Sequence, residues 1–290
     1  LPTSQTKTRE KHKNLRILVS DSVGFCSGVR RAIKIALAAA GRSECGIYSM
    51  GPLIHNPQVV EKLKQVGVKP LVRIGKKGGA LVLRSHGVSR PVLDQARRRG
   101  YKIIDATCPF VRKAQDNARK LSEKGYRVVI VGDRHHPEVK TIRSHVRDRA
   151  LVVENIDQVK RLKFGPRVGI IAQTTIPTDT FSSIVGEVTR RAKEVLVFNT
   201  ICSDTARRQE RAKALAGKVD VLLVVGGRNS ANTSRLATLC ETICPRIHHI
   251  ETADEIEGRW FRNNYSVGIV AGSSTPGWLV DSIVDRLREL

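Results

Sequence analysis

The sequence predicts an α/β protein of three similar units with mainly parallel sheets, gathered around one shared centre. Three observations carry that expectation. Short apolar runs alternate with helical patterns along the 290-residue chain. Cys26, Cys108 and Cys202 share one local setting: an apolar run, a short turn, the cysteine, then the start of an amphipathic stretch. Their spacings, 108 − 26 = 82 and 202 − 108 = 94, divide the chain into rough thirds.

In chain order, residues 1–14 read as a basic arm carrying Lys7, Arg9, Lys11 and Lys13. A first α/β unit is expected over 15–106 with Cys26, a second over 107–200 with Cys108, and a third over 201–290 with Cys202. Apolar runs that read as strands fall at 15–19, 46–50, 80–84, 101–105, 127–131, 150–153, 168–172, 195–199, 221–225, 247–250 and 266–271. Between them Val29, Ile33 and Leu37 share a helix face, as do Val111, Ala114, Ala118 and Leu121; Ala212 and Leu215 mark a weaker stripe. Continuously apolar strands separated by helices argue for parallel sheets covered on both faces.

Composition narrows the function. Apolar residues make up 40% of the chain, enough for buried cores, and no run approaches the ~18 apolar residues of a membrane span. The start of the sequence lacks a secretory apolar region, which points to the cytoplasm, with a plastid location left open. Six cysteines in a chain of this length suggest metal or catalysis rather than a disulfide framework. A thiol at a helix start meets the positive end of the dipole, which favours the metal-binding thiolate. The formal net charge is +24. A generally basic surface, acidic partners and nucleic acid all compete to explain it. The spread of Lys and Arg along the whole chain, with aromatics at 4%, places nucleic acid last.

Polar residues collect where strands end, the place where open α/β sheets bind ligands. His55 precedes Pro57, His86 precedes Gly87, and His136 and Glu138 flank Pro137. A lone histidine is more often structural, but three in matching loops suggest an anion pocket in which imidazolium and helix starts favour phosphate. Thr174 follows the 168–172 run; strand-end capping is its bland reading, a proton relay its functional one. Ser230, Asn232 and Thr233 follow a Gly-Gly turn, and Ser273, Ser274 and Thr275 precede Pro276. These loops suit a phosphate, although no P-loop is present. Cys45, Cys240 and Cys244 read as structural.

Taken together, GFCSGVRRAI, MGPLIHNPQVV, SHGV, DATCP, HPEV, QTT, the block 200–209, NSANTSRL and GSSTP resemble, in order, the 4-hydroxy-3-methylbut-2-enyl diphosphate reductases, from about residue 17 to 279. The resemblance implies a trefoil-like arrangement around one central four-iron four-sulfur cluster. Cys26, Cys108 and Cys202 match its three protein ligands, so one iron is open to the substrate hydroxyl. It implies reductive removal of the allylic hydroxyl of the diphosphate, giving isopentenyl and dimethylallyl diphosphates. His55, His86, His136, Thr174, Ser230, Ala231, Asn232 and Ser274 match the substrate-binding positions. Glu138 matches the proton-delivering acid, with Thr174 and His136 beside it. An acidic electron donor, a ferredoxin or flavodoxin, is the implied partner. Ala231 stands where many members have Ser, and Asp204 replaces a small residue, so a carboxylate facing inward would repel cluster and diphosphate. Residues 140–145 and the Pro276–Gly277 pair also depart from the usual pattern. Two other readings compete: a quinolinate-synthase-like three-cysteine dehydratase, and a non-catalytic homologue whose basic surface binds RNA or protein.

Overall fold

The structure is a computed structural model that describes residues 14–42, 46–75 and 78–290. All but the last residue of the expected basic arm, and Cys45, lie outside the described residues. The chain opens with β1 (Arg16–Val19) and α1 (Ser27–Ala40). Next come β2 (Ile47–Met50), α2 (Pro57–Gln65), β3 (Val68–Leu71), β4 (Gly79–Leu83), α3 (Arg90–Arg98) and β5 (Tyr101–Asp105). Then follow α4 (Pro109–Glu123), β6 (Arg127–Val131), α5 (Pro137–Ser144), β7 (Leu151–Val153), α6 (Ile156–Arg161), β8 (Arg167–Ala172), α7 (Thr178–Thr189) and β9 (Glu194–Phe198). The last third holds α8 (Ser203–Ala216), β10 (Val221–Val225), α9 (Ala231–Glu241), β11 (Ile247–Ile250), β12 (Ser266–Ala271) and α10 (Gly277–Arg288).

The strands form three four-stranded sheets in the orders β3-β2-β4-β5, β7-β6-β8-β9 and β11-β10-β12-β1. Every pairing is parallel. The three orders are one topology written three times. All five residues of β10 are fully buried, as a parallel strand with helices on both faces requires.

One expectation is corrected. β1 does not open the first unit. It pairs with β12, Arg16 opposite Ser266 through Val19 opposite Ile269, and so completes the third sheet. Leu15 and Ile17 pack into the core of that sheet, with Val267, Ile269 and Ile283. The chain then crosses to the first sheet at Cys26, because Val29, Ala32 and Ala36 of α1 bury against Ile47, Leu53 and Val82. Cys108 and Cys202 mark the same kind of crossing. After Cys108, Ala114, Ala118 and Leu121 pack on the second sheet. After Cys202, Ala212 and Ala216 pack on the third. Each cysteine therefore sits where the chain passes from one sheet to the next, and β1 closes the ring.

β3 is a strand that the pattern of the sequence hides. Lys69 and Pro70 interrupt its apolar run, yet it is an edge strand, where a proline costs no ladder bond on its open side. Proline also sits in the first turn of α2, α3, α4 and α5, where its missing N–H is free of cost. Among the described residues no helix is long and apolar enough to cross a membrane.

Candidate active site

Cys26, Cys108 and Cys202 are the N-cap residues of α1, α4 and α8. Each is tied by the same bond to the loop after the neighbouring strand of the sheet it leaves. The N–H of Cys26 donates to the Ser273 carbonyl at 3.0 Å, that of Cys108 to Ser85 at 2.9 Å, and that of Cys202 to Thr174 at 2.8 Å. These bonds aim three helix starts at one cavity. All three cysteines line it, together with His55, His86, His136, Glu138, Thr174, Ser230, Ala231, Asn232 and Ser274. Every site residue expected from the sequence thus reaches one chamber.

The charge states differ from the expectation. Burial pushes the Cys26 thiol up, and the Val29 N–H donated to its Sγ at 3.4 Å only partly offsets this. Burial also pushes Cys108 up, against the N–H groups of Phe110 and Val111. The helix starts alone do not ionise these thiols; a bound cation would, since metal binding displaces thiol protons. The residues fit an iron-sulfur cluster on two counts. Among the described residues only the histidines bring three metal-ligating atoms within 4.8 Å of one another, so the thiols are spread wider than one ion would hold them. A Cβ built on Gly28 would also lie 2.6 Å from Cys108 Sγ and 3.9 Å from Cys26 Sγ, so the glycine keeps the space between two sulfurs clear.

The histidines form a second wall of the cavity. Ring centroids of His55 and His86 lie 4.6 Å apart, those of His86 and His136 5.4 Å, and those of His55 and His136 6.1 Å. Imidazolium was expected here, but the protein holds these rings neutral. Burial, then the charges of His55 and Arg235, push His136 down to about 3. Burial and neighbouring cations lower His55 and, more strongly, His86. His136 Nδ1 accepts the Glu138 N–H at 3.2 Å, which leaves its proton on Nε2. Three neutral histidines also suit a divalent cation, but Arg84 and Arg235 act on them electrostatically and disfavour one. An anion gains from the same arginines. Both ring nitrogens of His55, Nδ1 of His86 and both side-chain polar atoms of Asn232 are buried with no hydrogen-bond partner among the described residues. Such groups are costly unless a polar ligand meets them.

Ser230 caps α9, its Oγ accepting the Thr233 N–H at 3.4 Å, and the Ser274 hydroxyl donates to the His55 carbonyl at 3.0 Å. Both hydroxyls therefore already have structural work and keep capacity for a further bond. Ala231 opens α9, so its backbone N–H belongs to the unpaired set that makes a helix start an anion site.

Glu138 is 1% exposed. The Thr174 N–H donates to its Oε1 at 2.7 Å and the Thr174 hydroxyl to its Oε2 at 2.8 Å. Burial nevertheless raises its pKa, against those two bonds and Arg235. Thr174 therefore links the acid, through its own carbonyl, to the Cys202 backbone.

Sequence reasoning missed the arginines. Half-buried Arg235 donates from Nη1 to Thr175 Oγ1 at 2.6 Å and from Nη2 to Gln173 Oε1 at 3.4 Å, tying α9 to the loop that carries Thr174. Arg208 explains Asp204. Its Nε donates to Asp204 Oδ2 at 2.8 Å and its Nη2 to the Gly24 carbonyl at 2.9 Å. The carboxylate is paired, and its partner clamps the loop before Cys26. The expected repulsion is reduced to a minor push on the Cys26 thiol. Arg235 stands inside NSANTSRL and Arg208 inside the block 200–209, so the signal was position within a motif rather than residue type.

Residues 17–288 match the family described as LytB protein. The 4-hydroxy-3-methylbut-2-enyl diphosphate reductase of Geobacter metallireducens is 47% identical over 277 residues, covering 95% of this chain and 98% of that protein. The protein of the same name from Pelobacter propionicus is 46% identical, covering 95% and 99%. The solved structure of (E)-4-hydroxy-3-methyl-but-2-enyl diphosphate reductase, the terminal enzyme of the non-mevalonate pathway, matches with TM-score 0.70 and 41% identity over 95% and 99% of the two chains. A Plasmodium falciparum structure, at 24% identity and TM-score 0.87 over 95% and 88%, shares the fold.

Proposed function

Because the chain belongs to the LytB family, we propose that it catalyses the reaction for which its relatives are named, reduction of 4-hydroxy-3-methylbut-2-enyl diphosphate. The observation that carries this reading is the meeting of three helix-start thiols, from three sheets, with a buried acid in one chamber. The allylic C–O bond breaks and a C–H bond forms. Two electrons and two protons are consumed, the hydroxyl leaves as water, and the allyl group becomes isopentenyl or dimethylallyl diphosphate. This is the terminal step of the non-mevalonate route to isoprenoids.

Cys26, Cys108 and Cys202 would hold a four-iron four-sulfur cluster. Bound there, it supplies electrons and, at the iron without a thiolate, a Lewis acid for the hydroxyl. The chain's own residues do the rest. His55, His86, His136 and Asn232 bind the diphosphate with the α9 start, while Ser230 and Ser274 shape that end of the pocket. The anion reverses the local field, so the histidines gain protons as it enters. Glu138 delivers a proton to the departing hydroxyl, and its raised pKa keeps it protonated further up the pH scale than an ordinary carboxyl. Thr174 holds Glu138 through both oxygens and fixes its direction. Electrons come from a small acidic carrier protein of the ferredoxin or flavodoxin type.

The dehydratase reading loses its ground to relatives at 46–47% identity named as reductases. The non-catalytic reading loses its ground to a chamber that retains each matched side chain except the serine replaced by Ala231. The test is anaerobic reconstitution followed by addition of the hydroxylated diphosphate and reduced methyl viologen. Isopentenyl and dimethylallyl diphosphates are expected; a loaded protein that forms neither would overturn the reading.

A further inference from the structure

The two helices that meet at Gly28 and Cys108 also build an outer surface to which no step has been assigned. On the outer side of that junction lies an open groove. Arg31 of α1 and Arg112, Lys113 and Lys120 of α4 line it, and Thr107 and Pro109, the chain neighbours of Cys108, form part of its wall. Arg31 Nη1 donates to the Thr107 carbonyl at 3.1 Å, fixing a guanidinium onto the Cys108 loop. Arg112 is neutralised by Asp105 at 2.6 Å, and Asp116 by Arg119 at 3.1 Å. Arg31, Lys113 and Lys120 are exposed and, among the described residues, have no carboxylate partner. Arg30 and Lys34 continue the positive sign along α1, beside exposed Leu37.

We propose that this groove docks the small acidic electron-carrier protein and passes electrons inward through the Cys108 loop. The inference rests on the reductase reading and adds the face of the molecule that serves it. The central chamber admits a small diphosphate but not a protein, so a carrier must approach from outside. The groove wall is one residue from Cys108, which makes it a surface covalently next to a cluster ligand. Its unpaired cations give long-range attraction for an acidic partner, and the apolar patch along α1 suits the dry centre of a small interface. Two one-electron carriers would be oxidised for each hydroxyl removed, with both protons drawn from solvent. A second basic hollow, lined by Arg127, Arg149 and Arg167, lies where β6 and β8 begin, at the opposite end of the sheet from Thr174. Arg167 is paired with Glu194 at 2.7 Å, so Arg127 and Arg149 give this hollow a positive charge without the proximity, and it provides a control.

The experiment uses an acidic two-iron ferredoxin and measures its Kd for the reconstituted protein by calorimetry at low and high salt. The double variant Lys113→Glu, Lys120→Glu is compared with Arg127→Glu, Arg149→Glu, which carries the same change in net charge. The groove variant is expected to weaken binding about tenfold or more at low salt, with the difference shrinking as salt rises, and the control to change it less than about twofold. Turnover driven by reduced methyl viologen should be unchanged in the groove variant. Equal weakening in both variants, or none in either, would overturn the docking face. Failure of the wild type to turn over with viologen, while ferredoxin binding still depends on the groove, would remove the reductase reading and keep the docking face.

Discussion

The thiol wall and the histidine wall of the chamber are made from equivalent pieces of the three sheets, yet only one of them is symmetric. Each thiol follows a strand at the edge of its sheet, caps a helix, and is anchored by one N–H to the neighbouring loop. On the other wall the equivalent positions diverge. The loops after β2, β6 and β10 bring His55, His136 and Ser230; those after β4, β8 and β12 bring His86, Thr174 and Ser274. Repetition suits a cluster that needs the same ligand several times. Divergence suits a substrate with a charged end and a hydroxyl end. Burial acts on both walls, pushing the Cys26 and Cys108 thiols up and the histidines down.

The largest break in this comparison is expected at Glu138. Glu138→Gln should keep iron and sulfide content and lower kcat by roughly 10²–10⁴-fold, the range typical of a lost general acid. A rate near wild type would remove Glu138 from proton delivery. Gly28→Ala tests the symmetric wall. Its Cβ would stand 2.6 Å from Cys108 Sγ, so iron incorporation should fall several-fold while the far-ultraviolet circular dichroism of the folded chain is retained. Normal iron content in that variant would mean that the space between the sulfurs is not needed.

The divergent wall should respond in the opposite way. His86→Ala or Asn232→Ala should weaken pyrophosphate binding about tenfold, ~1.4 kcal/mol, with cluster content unchanged. Loss of cluster in either variant would merge the two walls. The smallest effect is in stability against pH. His136 has a folded-state pKa of about 3 against an ordinary 6.5, so its neutral form favours the fold. That contribution is complete above 6.5 and is lost as pH falls toward 3. The Tm of cluster-free protein should drop between pH 7 and 5, less steeply in His136→Gln and less steeply with pyrophosphate. An identical slope in the variant would remove His136 as a source.

What was legible in the sequence was local. An apolar run, a turn and a cysteine at a helix start can be read within a dozen residues, and so can a histidine before Pro or Gly. The destination of β1 was not legible, because its partners stand 250 residues away, Arg16 opposite Ser266. β3 was hidden because Pro70 is tolerated only by virtue of an edge position that the whole sheet decides. Arg235 and Arg208 were lost among 51 lysines and arginines, since only their bonds to loops distant in sequence set them apart. Charge states failed for the same reason. Helix starts and histidines suggest thiolate and imidazolium locally, and desolvation, a property of the assembled chamber, works against both at Cys26, Cys108 and the histidines.

The central claim is that three equivalent crossings between sheets hold one shared cluster. Its most direct measurement is iron and sulfide content, with the visible cluster absorbance, of anaerobically reconstituted wild type, Cys26→Ser, Cys108→Ser and Cys202→Ser. The account predicts about four irons and four sulfides per chain in the wild type and loss of the intact cluster in each single variant. An intact cluster in any one of the three would contradict it.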